Sequence, residues 1–258
     1  MTPLDEAHGA MDAAPQDEGA RLAFFDRLSG AELFLLLTRE PEGEALDPRL
    51  FETSQGTFVL TFDRLERLGE FASDGAPYAA LSGRLLVAML AGRGIGIALN
   101  PGVAPSSFLM DDAGVGWLSE TLSDAPQEAE AKPTALAPPG ALPDRLLTAL
   151  DGKLAAATGL ARMAYLVEAT YEQGGRTHLL AFVDAAPGAD GALARAVREA
   201  LVFSGLEAGA LDVAFFRASD PISARLAKVG LRFDLPVFEA QTAPTAPGMD
   251  PDTPPRLR

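Results

Sequence analysis

The sequence predicts an α/β protein with two similarly built subdomains, each a small mixed sheet with packed helices, and an α+β arrangement is the alternative. Apolar residues make up 48% of the 258-residue chain, which is enough for buried cores. In each half, short apolar runs and helical periods follow the order helix, strand, strand, helix, strand, helix, strand. A stretch rich in Pro, Ala and acidic residues separates the halves.

The first half begins with acidic residues 1–18, which lack apolar periodicity and predict a disordered tail. A helix then ends near Gly30. Bounded apolar runs predict strands at 31–38, 50–53, 57–62, 78–81 and 95–99. Asp63 and Ser82 are suitable N-cap residues for helices at 64–71 and 82–91. A hairpin follows, with a strand at 107–110 and a turn at 111–114.

The second half repeats this order. Helices are predicted at 144–157, 192–203 and 221–228, and strands at 163–171, 177–183, 211–217 and 231–238. Because residues 91–101 and 227–236 also resemble each other, we hypothesise that the halves arose by duplication, and the general alternation of helices and strands in α/β proteins is the alternative explanation. The predicted units are a disordered acidic tail (1–18), a first α/β domain (19–120), a linker (121–142), a second α/β domain (143–238) and a disordered tail (239–258).

Composition excludes several classes of function. The chain has no cysteine, which removes disulfides, thiolate metal sites and cysteine nucleophiles and favours a reducing compartment. A net charge of -15 argues against nucleic-acid binding. Residues 1–6 lack the segments of a signal peptide, and no apolar run is long enough to cross a membrane. We therefore expect a cytoplasmic protein, and the abundance of Ala and of Arg over Lys indicates a bacterial source.

No motif predicts a catalytic residue, a metal site or a cofactor. Gly92, Gly94 and Gly96 follow a helix and enter a strand, the reverse of a dinucleotide-binding loop, so a helix end with close packing is favoured. His8 and His178 lack neighbouring ligands. The pair at 111–112, two adjacent aspartates, is interpreted as part of a turn.

The residues proposed to contact a ligand or partner are few. Asn100, Pro101 and Gly102 end a strand, where open α/β sheets bind ligands, and simple turn geometry is the alternative. Trp117 is either an interface anchor or a core residue, and the core is favoured. Arg93 is a candidate for a polar pocket, as are Arg84 and Arg176, because Arg binds carboxylate or phosphate through two hydrogen bonds.

Two stretches carry a family resemblance. Residues 33–118, notably 57–62 (TFVLTF) and 97–102 (IALNPG), resemble the N-terminal domain of the SseB family, the enhanced serine sensitivity proteins. Residues 146–238, notably 164–167 (AYLV) and 178–180 (HLL), resemble that family's C-terminal domain. The resemblance implies a bacterial cytoplasmic protein and supplies no catalytic residues.

The leading functional hypothesis is a non-enzymatic interaction or regulatory module that binds a protein partner, with no nucleic acid, membrane or cofactor. One alternative is a small-molecule sensor or enzyme with a pocket near Asn100 or between the halves. Another is a secretion-associated protein, although the chain lacks the long coiled coil that a translocator needs.

Overall fold

Two mixed sheets, one in each half of the chain, organise the fold. The computed structural model describes residues 1–41, 45–72, 75–123, 133–171, 175–205 and 211–236. In this part of the chain, the helices are α1 (Pro3–Ala13), α2 (Glu18–Gly30), α3 (Leu65–Ala72), α4 (Gly83–Leu90), α5 (Asp112–Ser123), α6 (Asp144–Ala156), α7 (Asp190–Phe203) and α8 (Pro221–Val229). No described helix has the length and apolar character that crossing a membrane requires.

The strands fall into two groups that match the two halves. Those of the first half are β1 (Glu32–Leu36), β2 (Leu50–Thr53), β3 (Gly56–Phe62), β4 (Tyr78–Ser82), β5 (Ile95–Leu99) and β6 (Phe108–Met110). Those of the second half are β7 (Pro133–Ala137), β8 (Met163–Tyr171), β9 (Arg176–Val183), β10 (Leu211–Phe216) and β11 (Leu231–Asp234). The predicted α/β class with two subdomains is confirmed.

The first sheet has the order β4-β1-β3-β5-β6, with β2 also pairing with β3. The pair β3–β5 is parallel and the others are antiparallel. One face packs against α2, α4 and α5 through a core that contains Phe24, Leu35 and Ile97. The other face packs against α3, where Leu68 contacts the core around Phe62. Because both faces are covered, β1 and β3 are nearly continuous apolar runs.

The second sheet has the order β10-β9-β8-β11, with β7 pairing with the end of β8. The pair β9–β10 is parallel, and β8 is antiparallel to both β9 and β11. Helices α6 and α7 cover one face through Leu150 and Val197, and α8 contributes Leu226 to the core on the other face. The duplication hypothesis is wrong, because the four corresponding strands have the order third-first-second-fourth in the first half and third-second-first-fourth in the second.

The N-terminal residues form a helix, so the prediction of a disordered tail over 1–18 is wrong. Thr2 is the N-cap of α1, and Thr2 and Asp5 form a reciprocal capping box, with Pro3 in the first turn. Leu4 is buried in the first core, and the ring of His8 lies edge-on to Phe24 at 5.4 Å. The helix is therefore stabilised by its cap and by tertiary packing rather than by a strong apolar period of its own.

The predicted turn at 111–114 is also wrong, because helix α5 follows β6 directly. Asp111 Oδ1 accepts a hydrogen bond of 2.8 Å from the Gly114 backbone N–H, as an N-cap does. Val115 and Leu118 are buried at helical spacing. Aspartate is as suitable at the start of a helix as in a turn. The helix forms here because it buries the apolar residues that follow.

The predicted linker contains ordered structure at both ends. Helix α5 continues to Ser123, and β7 joins the second sheet, while residues 124–132 lie outside the described part of the chain. The predicted tail at 239–258 also lies outside it, and so does most of the turn between β8 and β9. The domain boundaries at 120 and 143 stay predictions.

Close packing explains one of the three glycines between α4 and β5. A Cβ on Gly96 would lie 2.4 Å from the Met110 carbonyl oxygen and 2.7 Å from the Phe58 ring. Gly92 and Gly94 follow the end of α4 with positive φ angles of 73° and 70°. The interpretation as a helix end with close packing is confirmed.

Candidate interaction surface

The predicted turn at the end of β5 is present, and its first residue is buried. Pro101 and Gly102 occupy the centre of a turn that is closed by a 3.2 Å hydrogen bond from the Val103 N–H to the Asn100 carbonyl. Gly102 has a φ of 73°, as the third position of a type II turn requires. The Asn100 side chain is fully buried and accepts from the Asp63 N–H at 3.1 Å. It thereby ties the ends of the parallel strands β3 and β5 together.

Asp5 of α1 fills the crevice beside these strand ends. Its carboxylate accepts two hydrogen bonds from Arg67, at 3.0 and 2.6 Å, one from Ser106 at 2.6 Å and one from the Thr2 N–H at 2.8 Å. Burial alone would raise the pKa of the Asp5 carboxyl, but the hydrogen bonds from Arg67, Ser106 and Thr2 outweigh it and hold that pKa well below its usual range. The crevice expected to bind a ligand near Asn100 thus holds a carboxylate of the chain itself.

Sequence reasoning missed this cluster, although a signal for it was present. Thr2, Pro3 and Asp5 have the spacing of a helix N-terminus with a capping box. Arg67 of α3 also contacts Asp63 at 2.7 Å, and its hydrogen bonds to Asp5 join α3 to α1. The contact between Arg67 and Asp5 joins residues 62 positions apart in the sequence, so no local pattern could predict it.

A second group of charged side chains connects the two halves. Glu199 of α7 accepts two hydrogen bonds of 2.8 Å from Arg84 of α4 and one of 3.0 Å from Lys153 of α6. Lys153 Nζ also lies 2.5 Å from Asp26 Oδ1 of α2. Phe203, at the end of α7, packs into the first core. The halves are therefore joined by an apolar anchor and a partly buried ionic network.

Open clefts flank this junction. One has a volume of about 860 Å³ and is lined by α2, α6 and the start of α1, with Arg64, Arg145, Asp17 and Glu32 among its charged residues. The other, of about 830 Å³, lies beside Arg84 and Arg195. Acidic and basic side chains are mixed in the first cleft, so it has no strong preference for one sign of charge.

The α3 face of the first sheet carries a group of aromatic side chains that reaches the surface. Phe71 of α3 lies 5.3 Å from Phe62, measured between ring centroids, and Phe34 lies directly across the strands from Phe62. Tyr78 of β4 lies 5.7 Å from Phe34. Phe71 and Tyr78 remain 40% and 39% exposed, while Phe62 is buried beneath them. We call Phe34, Phe71 and Tyr78 the aromatic surface.

The remaining sequence candidates lie apart from one another. Trp117 is 39% exposed on α5, with its ring edge against Phe25, and so is not the core residue that was favoured. Arg93 is exposed between α4 and β5. Arg176 pairs with Glu168 on the surface of the second sheet. Arg84 is engaged by Glu199, so these three arginines do not form one pocket.

The two histidines are in different settings. His8 is buried, and its Nδ1 lies 3.4 Å from Asp12 one turn further along α1. His178 lies on β9, directly opposite Glu168. Within the described ranges, no group of three or more His, Cys, Asp or Glu side chains is placed to hold a metal ion.

The family model that describes the SseB protein N-terminal domain matches residues 4–117. The matched segment begins in the first turn of α1, contains the whole first sheet and ends within α5. No curated protein and no solved structure matches the chain. The resemblance of the second half to the SseB C-terminal domain stays a prediction. The first half of the chain, over residues 4–117, is therefore similar to the N-terminal domain of the SseB protein.

Proposed function

We propose that this chain is a non-enzymatic interaction module that binds a protein partner through the aromatic surface. The observation that carries the proposal is the exposure of Phe71 and Tyr78 around a buried aromatic base. Aromatic side chains that are half exposed and held by neighbouring rings are typical anchors of protein interfaces, because they bury a large area with little loss of conformational entropy.

The partner is expected in a reducing compartment, the bacterial cytoplasm, because the chain has no cysteine. The high negative charge opposes binding to nucleic acid and favours a partner with a basic surface. Nothing in the described residues favours the secretion-associated alternative.

The test is an affinity capture from the source lysate with three matched baits. These are the wild-type chain, the double variant Phe71→Ser/Tyr78→Ser, and Leu231→Ser as the control, since Leu231 is 43% exposed on the second sheet. We expect one protein, at a stoichiometric amount, to be retained by the wild type and the control and to be reduced at least about tenfold by the double variant. Equal recovery on all three baits contradicts the proposal.

A small-molecule sensor is the second candidate, and the cleft of about 860 Å³ between the halves favours it. The same capture distinguishes the two functions if the small molecules that are retained are also analysed by mass spectrometry. A metabolite retained by the wild type and lost on Arg145→Ala, with no protein partner, supports the sensor. Arg145 lines this cleft from α6 of the second half, whereas the aromatic surface is formed by β1, α3 and β4 of the first, so the variant changes no residue of that surface.

A further inference from the structure

The outer edge of β4 has unpaired backbone groups. β4 is the terminal strand of the first sheet and pairs only with β1 among the described strands. Hydrogen bonds join Leu37 to Pro77 and Gly83 to Ala31 at the two ends of this pair. Since bonded and non-bonded positions alternate along an antiparallel pair, the N–H and C=O groups of residues 78 and 80 and the N–H of residue 82 point away from β1. Ser82 is the N-cap of α4, so its carbonyl belongs to the first turn of that helix.

The edge of β4 also lacks the devices that usually protect an edge strand. The strand contains no charged residue and no proline. By contrast, the edge strand β11 carries an ion pair between Arg232 and Asp234, and β7 begins with Pro133. Of these three strands, β4 is the one that has neither a charged residue nor a proline.

Resting on the function proposed above, we propose that the partner contributes an extended apolar and basic segment, which adds to the first sheet as a strand beside β4. Tyr78 and Ala80 lie on the same face of the sheet as Phe34, because directly paired residues share a face. Apolar side chains of the added strand therefore lie against the aromatic surface. The exposed carboxylate of Glu32, directly opposite Ser82, has no ion-pair partner in the described part of the chain and suits a basic side chain.

A second copy of this chain fits the same edge poorly. Each copy carries a charge of -15, so the like charges of two copies oppose their association. A strand of five residues offers an edge only about 17 Å long. Pairing along so short an edge does not by itself bury the area of about 1,200–2,000 Å² that stable dimers have. A short peptide segment, which does not need so large an interface, is the better occupant.

One substitution separates strand addition from binding by side chains alone. Ala80→Pro removes the outward N–H and places the ring where the added strand would lie, and proline is tolerated at such an edge position because the bonds to β1 are kept. Ala80→Val keeps the N–H and is the matched control. We expect the partner captured by the wild type to be retained by Ala80→Val and reduced at least about tenfold by Ala80→Pro.

The capture experiments distinguish a failure of strand addition from a failure of the proposed function on which it rests. Equal capture by Ala80→Pro and by the wild type, together with loss on Phe71→Ser/Tyr78→Ser, overturns strand addition and leaves the interaction surface in place. No loss on either variant overturns both. Thermal unfolding of Ala80→Pro verifies that it is folded.

A defined probe tests the backbone contact directly. Amide hydrogen exchange of the full chain is followed by NMR with the acetylated peptide Lys-Thr-Val-Thr-Val, whose lysine and valines share one face of a strand, and with its counterpart in which glutamate replaces the lysine. We expect the basic peptide to slow exchange at the N–H groups of Tyr78, Ala80 and Ser82, and the acidic peptide to leave them unchanged. Protection of none of the three overturns strand addition, and equal protection by the two peptides overturns the basic preference.

Discussion

Replacing Asp5 by asparagine tests whether α1 is an integral part of the first domain. Each carboxylate oxygen of Asp5 accepts two hydrogen bonds, and the groups that surround it are all donors. An asparagine amide turns one of the acceptors into a donor and removes the charge that faces Arg67. Removing one member of a buried ion pair costs about 3 kcal/mol or more, and we expect a loss of that size in the free energy of unfolding.

The effect of Asp5 depends on pH in a defined direction. The folded-state pKa of its carboxyl is held below the unfolded value of 3.8, so its stabilisation is fully present above that value and is lost as the pH falls through the folded pKa. The difference in unfolding free energy between the wild type and Asp5→Asn is therefore constant at neutral pH. It narrows as the solution is acidified below about pH 4.

Urea unfolding followed by the fluorescence of Trp117 measures this difference. Trp117 is the only tryptophan and packs against Phe25 of α2, so its signal reports on the first half. The control is Asp12→Asn on the same helix, where the 68% exposed carboxylate meets His8 and contributes less than about 1 kcal/mol. If Asp5→Asn and Asp12→Asn unfold at the same urea concentration, the account of α1 is refuted.

Three further predictions follow from other contacts. Glu199→Gln lowers the free energy of unfolding by about 2 kcal/mol in thermal or urea unfolding, because it weakens charged bonds to Arg84 and Lys153, whereas Glu168→Gln at the exposed Arg176 pair changes it by less than about 1 kcal/mol. Gly96→Ala lowers the melting temperature through its clash with Met110 and costs at least about 2 kcal/mol, whereas Gly9→Ala, with open space in α1, does not lower it. Burial and the hydrogen bond to Asp212 raise the pKa of Tyr171 to about 12, so stability declines as the pH rises above the unfolded value of 10.0, and urea titrations at alkaline pH show a smaller decline for Tyr171→Phe.

Most strands and helices could be predicted from the sequence because their local signals agree with their packing. The apolar runs of β1, β3 and β5 and the Ser82 cap of α4 are examples. Local signals failed where the same residue type is suited to two kinds of secondary structure. Aspartates 111 and 112 suit either a turn or a helix start, and the choice depends on burial of the apolar residues that follow.

The sequence could predict that an aromatic residue contacts a partner, but not which aromatic residues form the candidate surface. Trp117 was a reasonable anchor because tryptophan is common at interfaces, but no sequence pattern indicates that Tyr78 is half exposed. Its exposure results from the position of β4 at the edge of the sheet, which strand order alone decides. Likewise, the burial of Asn100 depends on Asp5 and Ser106, which lie far from each other in the chain.

Hydrogen–deuterium exchange on the complex between this chain and the protein that it captures tests the interaction surface most directly. The account predicts that amides of β4 and α3 become protected in the complex, while those of β11 keep the exchange rates of the free chain. Protection confined to α2 and α6, which line the cleft between the halves, or to α5 around Trp117, would contradict it.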